Sequence, residues 1–224
     1  MSVLVAGGSR GVGMIACQRL AQLGEGVRAL SRNGGPRLSG VDSLLGDLLE
    51  PSDCARAVDS CSAIVCTAGD YSISEDKDIV DGRGIVQLVD AAMDFGVRRF
   101  VLVSSLGVGD SWDRIPAPVR WFFKATDSVP ILKAKAESEE FLKQSGLDWT
   151  ILRPGYLTNH RMRARPFCRE GLVPGVTTRQ AVADVAVRCL DSSAAKGRTL
   201  AVCNRWLGWP LKAEVKLEVS WTPW

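Results

Sequence analysis

The chain has 224 residues, enough for one α/β domain with a sizeable core. With 46% hydrophobic and 24% charged residues it has the balance of an ordinary globular protein, and a net charge of +3 is too small to argue for a nucleic-acid partner. No apolar run is long enough to span a bilayer, and the first residues enter a strand pattern without a basic leader, so a cytoplasmic protein with no membrane partner is expected.

Short apolar runs at residues 3–6, 27–31, 43–45, 63–67, 100–104, 149–152 and 199–203 read as strands. Between them lie segments with helical periodicity. In the first, Val12, Ala16, Leu20 and Leu23 recur on one face, and Gly24 is placed to end the helix. The others fall at about 53–59, 79–95, 133–145 and 179–191. Strands that are apolar on both faces and alternate with helices predict an α/β fold of the doubly wound type. Its mainly parallel sheet is flanked by helices, in a single domain over 1–224.

Two stretches break this pattern. Residues 106–130 carry Gly107, Gly109, Pro116, Pro118 and Pro130 together with Trp112, Trp121, Phe122 and Phe123. Residues 155–178 carry Arg161, Arg163, Arg165 and Arg169. Both follow the carboxyl end of a strand, where open α/β sheets bind ligands, so both are read as substrate-covering segments. Trp112, Trp121, Phe122 and His160 are the candidate substrate contacts, and the arginines would suit an anionic substrate. From 211 to 221 apolar and polar residues alternate, as in a half-buried strand that pairs with the sheet edge or with a partner chain, which allows a monomer or a homodimer.

The turn Gly7-Gly8-Ser9-Arg10-Gly11-Val12-Gly13 joins the first strand to the first helix. Glycine permits the tight turn and the approach of a pyrophosphate, and the helix N-terminus offers free amides and the positive end of its dipole. In this strand–turn–helix context the pattern predicts a dinucleotide site. The second strand ends in Ser31-Arg32 rather than in an acidic residue, and Arg10 stands in the turn. Guanidinium groups and a hydroxyl suit a 2′-phosphate, so the expected cofactor is NADP(H). The seven cysteines include no C-x-x-C pair and read as reduced, mostly buried thiols. His160 is the single histidine, which argues against a His-containing metal site or a Ser-His-Asp triad.

Further segments join the glycine turn: Gly46-Asp47-Leu48, Thr67-Ala68-Gly69, 101–105 (Val-Leu-Val-Ser-Ser), Ala134-Lys135 and 145–155 (Ser-Gly-Leu-Asp-Trp-Thr-Ile-Leu-Arg-Pro-Gly). With these, residues 2–203 resemble the atypical short-chain dehydrogenase/reductases with a Rossmann-type fold. The likeness is to the NAD(P)-binding group that includes NmrA-like proteins and biliverdin reductase B/flavin reductase. The resemblance implies that Asp47 and Leu48 contact the adenine and that Thr67, Ala68 and Gly69 line the cofactor. It places Ser104 and Ser105 beside the nicotinamide, Lys135 on the nicotinamide ribose, and Pro154 and Gly155 at the nicotinamide amide. One departure stands out. Counting back from Lys135 in the family's Tyr-x-x-x-Lys pattern gives Ile131, which cannot donate a proton. The catalytic candidates are then Ser104, Ser105, Lys135 and Tyr156, with Tyr71, Asp127 and His160 as further groups near the same crevice. Three readings stay open. The first is an NADPH-dependent reductase passing hydride to a conjugated, apolar or flavin-like small molecule. The second is a non-redox cyclase, isomerase or dehydratase on the same scaffold. The third is a regulatory protein that senses NADP.

Overall fold

The computed structural model describes residues 2–69, 80–115, 117–126, 128–160, 166–171 and 175–206. Seven strands run where the apolar runs predict them: β1 (Ser2–Ala6), β2 (Gly26–Ser31), β3 (Val41–Leu45), β4 (Cys61–Cys66), β5 (Arg99–Val103), β6 (Asp148–Pro154) and β10 (Arg198–Cys203). They form one parallel sheet in the order β3-β2-β1-β4-β5-β6-β10. The order reverses direction between β1 and β4, so a crevice opens there at the carboxyl ends of the strands.

Five helices match the periodic segments: α1 (Gly11–Gln22), α2 (Pro51–Val58), α3 (Ile85–Asp94), α5 (Val129–Gln144) and α6 (Arg179–Asp191). Successive residues of β1 point to opposite faces. Val3 and Val5 pack with Val12, Ala16 and Leu20 of α1 and with Val182 and Ala186 of α6. Leu4 and Ala6 pack with Cys54 of α2, Leu88 of α3 and Leu142 of α5. The sheet is therefore buried on both faces, which is why its strands lack polar alternation. The end of α1 is a Schellman turn: Glu25 N–H donates to the Leu20 carbonyl and Gly24 N–H to that of Ala21, both at 3.1 Å, with Gly24 at φ +81°.

The described residues of the two stretches expected as covering loops hold more regular structure than their composition suggests. Residues 106–130 hold a 3₁₀ turn (Gly109–Arg114), α4 (Ala117–Ala125) and the start of α5. Their prolines read as breakers, yet Pro118 and Pro130 each sit at the second position of a helix, where no amide donor is required. Residues 155–178 hold β7 (Tyr156–Thr158), β8 (Phe167–Glu170) and β9 (Gly175–Thr178). β8 pairs antiparallel with β10 at the sheet edge, while β7, β9 and β11 (Arg205–Trp206) form a small second sheet. Strands this short give too little alternation to be read from sequence. The 211–221 tail, on which the regulatory reading rests, lies outside the described residues.

All seven cysteines are free thiols, five of them buried. Burial pushes Cys17, Cys54 and Cys66 up to about 12 from an ordinary 9.0. A thiol at 12 is only about one part in ten thousand ionised at pH 8, so these cysteines should resist alkylation in the folded protein and react at once in guanidinium. The folded state holds their protons more tightly than the unfolded chain does. Stability should thus be fully present below pH 9 and fall as pH rises towards 12, measurable as a declining urea midpoint. Equal labelling rates in the folded and unfolded protein would contradict this.

Candidate cofactor and active site

The glycine turn follows β1 and packs against the ends of β2 and β4. Gly7 adopts φ +82° and donates its N–H to the Leu30 carbonyl at 2.9 Å. A Cβ there would stand 2.8 Å from the Ala68 amide nitrogen, so only glycine lets the turn approach β4. Thr67 lies beneath it. Its hydroxyl donates to the Ala6 carbonyl at 3.1 Å and lies 3.3 Å from that of Gly7, so this side chain shapes the turn from below. Gly8 is buried, and a Cβ on it would meet Ala29 Cβ at 2.9 Å and Cys17 Sγ at 3.1 Å, which fixes how closely α1 packs on the sheet. Ser9 is half-buried and Arg10 exposed. Arg10 is the N-cap of α1 in extended conformation. No side chain caps the helix, and no acidic residue stands in its first turn of Gly11, Val12 and Gly13. A helix start left in this state presents uncapped amides and a positive dipole end to an anion.

The end of β2 borders the same crevice. Ser31 donates its hydroxyl to the Gly34 carbonyl at 2.5 Å, which folds residues 31–34 into a turn carrying the exposed Arg32. After β3, the Asp47 carboxylate accepts from Leu49 N–H at 3.0 Å, and Asp53 accepts the Asp47 amide at 2.8 Å. Leu48 is buried among apolar neighbours of α2 and α3, so of the two residues expected at the adenine Asp47 is the more exposed.

At the end of β4 the fold brings together groups that are far apart in sequence. Lys135 of α5 forms an ion pair with the fully buried Asp81, which lies in a π-helical segment, Val80–Gly84, leading into α3. Gly69 faces both: a Cβ on it would stand 2.9 Å from Asp81 Oδ1 and 3.6 Å from Lys135 Nζ. The Asp81 carbonyl accepts the Ser138 hydroxyl at 2.7 Å, and Gly82 packs on Ala134, which ties the π-helical turn to α5. Such irregular turns recur where a helix presents a functional side chain. Asp81 is missing from the sequence-derived candidates. The available signal was a carboxylate beside Val80 on the apolar face of a predicted helix.

Next along the sheet edge, Ser104 is buried at 7% exposure, and its hydroxyl has no hydrogen-bond partner among the described residues. A buried hydroxyl without a partner carries an energetic cost unless a ligand satisfies it. Ser105 is half-buried beside it. Ile131, one turn before Lys135, is buried, so an apolar side chain fills that place. Pro154 ends β6, and its carbonyl accepts the Leu106 amide at 3.1 Å. Gly155 is required by packing, since a Cβ on it would stand 2.1 Å from the Gly175 carbonyl oxygen.

The candidate substrate contacts are spread more widely. Trp112 is half-buried and packs on Phe123, with ring centroids 6.2 Å apart. Trp121 is exposed at 71%, and Tyr156, expected among the catalytic groups, is exposed at 75%. His160 is exposed, and its amide donates to the Thr158 hydroxyl at 3.1 Å. Phe122 lies on α4. Of the arginines, Arg169 lies in β8. Tyr71, Asp127, Arg161, Arg163 and Arg165 lie outside the described residues. No described helix is long and apolar enough to cross a membrane, and no metal-binding group of His, Cys, Asp and Glu occurs among the described residues.

Comparison with known proteins bears on the fold and the family. A Bacillus subtilis (strain 168) relative, an uncharacterized sugar epimerase named YhfK, is 29% identical over 212 residues, covering 88% of this chain and 92% of its own. The chain spans about half or less of the longer chloroplastic plant relatives that it also matches. The oxidoreductase ylbE of Lactococcus lactis superposes with a TM-score of 0.78 at 22% identity over 92% of each chain. The anaerobillin reductase ChuY of Escherichia coli O157:H7 does so at 0.76 and 23%, over 94% of this chain and 100% of its own. These two likenesses share the fold. The profile of one family, described as NAD(P)H-binding, matches residues 7–193, from the glycine turn to just past α6, and the chain belongs to that NAD(P)H-binding family.

Proposed function

We propose that the chain is an NADP(H)-dependent reductase acting on a conjugated, apolar or flavin-like small molecule. The observation that carries this reading is the pairing of Asp81 with Lys135 beside Gly69, next to a strand end where the Ser104 hydroxyl is buried without a partner. When bound, the nicotinamide supplies the hydride. The chain's part is to hold and orient. The α1 amides grip the diphosphate, Arg32 and Arg10 read the 2′-phosphate, and Asp81 fixes the Lys135 side chain towards the ribose hydroxyls. Ser104 donates its hydrogen bond to the acceptor atom on which negative charge develops. With Ile131 in place of a tyrosine, no phenol stands one turn before Lys135, and the proton comes from solvent or through a serine. That suits acceptors whose reduced form spreads its charge. The anaerobillin reductase ChuY, of the same fold, is in keeping with such an acceptor.

Purified protein mixed with NADPH and a panel of quinones, flavins and enones should oxidise the reduced nicotinamide steadily, with loss of its absorbance. Tight NADPH binding without turnover of any acceptor would overturn the reductase reading. It would favour a non-redox isomerase or dehydratase that retains the cofactor. The buried Ile131 and the epimerase name of the B. subtilis relative speak for that second reading.

Cofactor choice is tested separately. Arg32→Asp replaces a charge-assisted contact by repulsion and should weaken NADPH binding by roughly 2–4 kcal/mol, about 30- to 1,000-fold, while leaving NADH nearly unchanged. Equal affinity of the unmutated protein for NADPH and NADH, measured by calorimetry, would refute the assignment.

A further inference from the structure

The N-terminus of α6 stands beside that of α1. Asp184 of α6 pairs with Arg19 of α1 at 2.8 Å, and Arg179 lies against Gly11, so the two helices run side by side in the same direction. Both therefore begin at the carboxyl edge of the sheet. Arg179 is the first residue of α6, and its backbone is firmly held. Thr178, the N-cap, accepts the Ala181 amide at 3.0 Å and donates its own amide to Asn204 at 2.8 Å, and Thr177 also bonds Asn204, at 2.9 Å. From this anchor the side chain crosses to the glycine turn. Its Cδ and Nε pass 3.7 and 3.8 Å from where a Cβ would stand on Gly11, whose φ of +57° keeps that position bare. Its guanidinium donates to Asn159 Oδ1 at 2.9 Å, beyond β7 in the segment that also carries Tyr156 and His160. No carboxylate pairs with Arg179 among the described residues, and no acidic residue stands in the first turn of either helix.

We propose that Arg179 is a ligand of the cofactor diphosphate. It would close over the start of α1 from the neighbouring helix and link the diphosphate to the 156–160 segment. A guanidinium carries five N–H donors in a planar fork that matches phosphate, and the bond to Asn159 uses one of them. Two parallel helix starts add their dipoles at the same place. This role differs from that of Arg32. Arg179 reads the group that NADPH and NADH share, whereas Arg32 reads the 2′-phosphate that separates them. The inference rests on the dinucleotide reading of the glycine turn.

Calorimetry of the full chain with NADPH, NADH and adenosine 2′-monophosphate tests it, since the last ligand carries the 2′-phosphate but no diphosphate. Arg179→Ala should weaken NADPH and NADH by the same factor, roughly tenfold to a hundredfold, and leave adenosine 2′-monophosphate unchanged. Arg179→Lys should recover part of the loss and keep the parent melting temperature. Parent-like NADPH affinity in Arg179→Ala would overturn the proposal. So would an equal loss for adenosine 2′-monophosphate, which would mark a structural role. Failure of the unmutated protein to bind any of the three ligands would instead remove the dinucleotide reading on which the proposal stands.

Discussion

Gly13→Ala is expected to abolish NADPH binding and to destabilise the protein, although helix propensity alone predicts the opposite. Gly13 lies in the first turn of α1, where alanine is favoured over glycine by about 1 kcal/mol. A Cβ at this position, however, would stand 2.2 Å from the Gly7 carbonyl oxygen and 2.5 Å from Thr67 Oγ1. The first obstacle is backbone, so relief requires the helix start to lift from the turn. Overpacking of this kind costs about 3 kcal/mol, against which the propensity gain is small. The displaced helix start also carries the amides proposed to grip the diphosphate. Calorimetry with NADPH should show no heat, and the melting temperature should fall. Gly24→Ala is the control. Gly24 has φ +81°, but nothing lies within 4 Å of where its methyl group would stand, leaving only backbone strain of about 1 kcal/mol and intact binding. A stabilised Gly13→Ala protein with normal affinity would show that the turn does not lie on α1 as described.

Glu139→Ala should cost about 3–5 kcal/mol, the largest purely structural effect expected in this chain. Glu139 is buried at 1% exposure and holds the buried Arg153 through two bonds, at 3.1 Å to Nε and 2.5 Å to Nη2. Arg153 in turn bonds Asp110 at 2.7 Å, so one guanidinium joins β6, α5 and the 3₁₀ turn. Burial by itself would lower the Arg153 pKa. The bonds to Glu139 and Asp110 outweigh it, and the net shift is upward, so the group stays charged. Removing Glu139 leaves that charge with Asp110, whose side chain is 65% exposed, as its remaining carboxylate partner in the cluster. The double variant Glu139→Leu/Arg153→Met should be more stable than either single variant, because it buries no unpaired charge. Urea unfolding of the three proteins measures this. A Glu139→Ala cost below about 1 kcal/mol would contradict the buried pair.

Much of the fold was legible locally. Each parallel strand is an apolar run because both faces are covered, and α1 declares itself by the spacing of Val12, Ala16 and Leu20 and by Gly24 after it. These signals lie within one turn or one strand, where sequence spacing equals spatial spacing. The glycine turn was equally legible, since the strand, turn and helix that give it meaning are contiguous. The extent of α4 and α5 was not, because Pro118 and Pro130 break a helix interior but suit a first turn, and the two cases look alike until the start is known. The short strands β7, β8 and β9 carry too few residues for a period.

What only the tertiary structure decided is the company each polar group keeps. Lys135 was visible in sequence, but its partner Asp81 was not. Nor was it evident that Thr67 supports the turn from beneath, that Gly155 makes room for the Gly175 carbonyl, or that Arg179 crosses to Gly11. The sequence by itself determined the alternation of strands and helices and the place of the glycine turn, because propensity and periodicity act between near neighbours. The pairing of charges and the close approach of backbones depend on which distant segments the sheet order sets side by side, and no local pattern encodes that order.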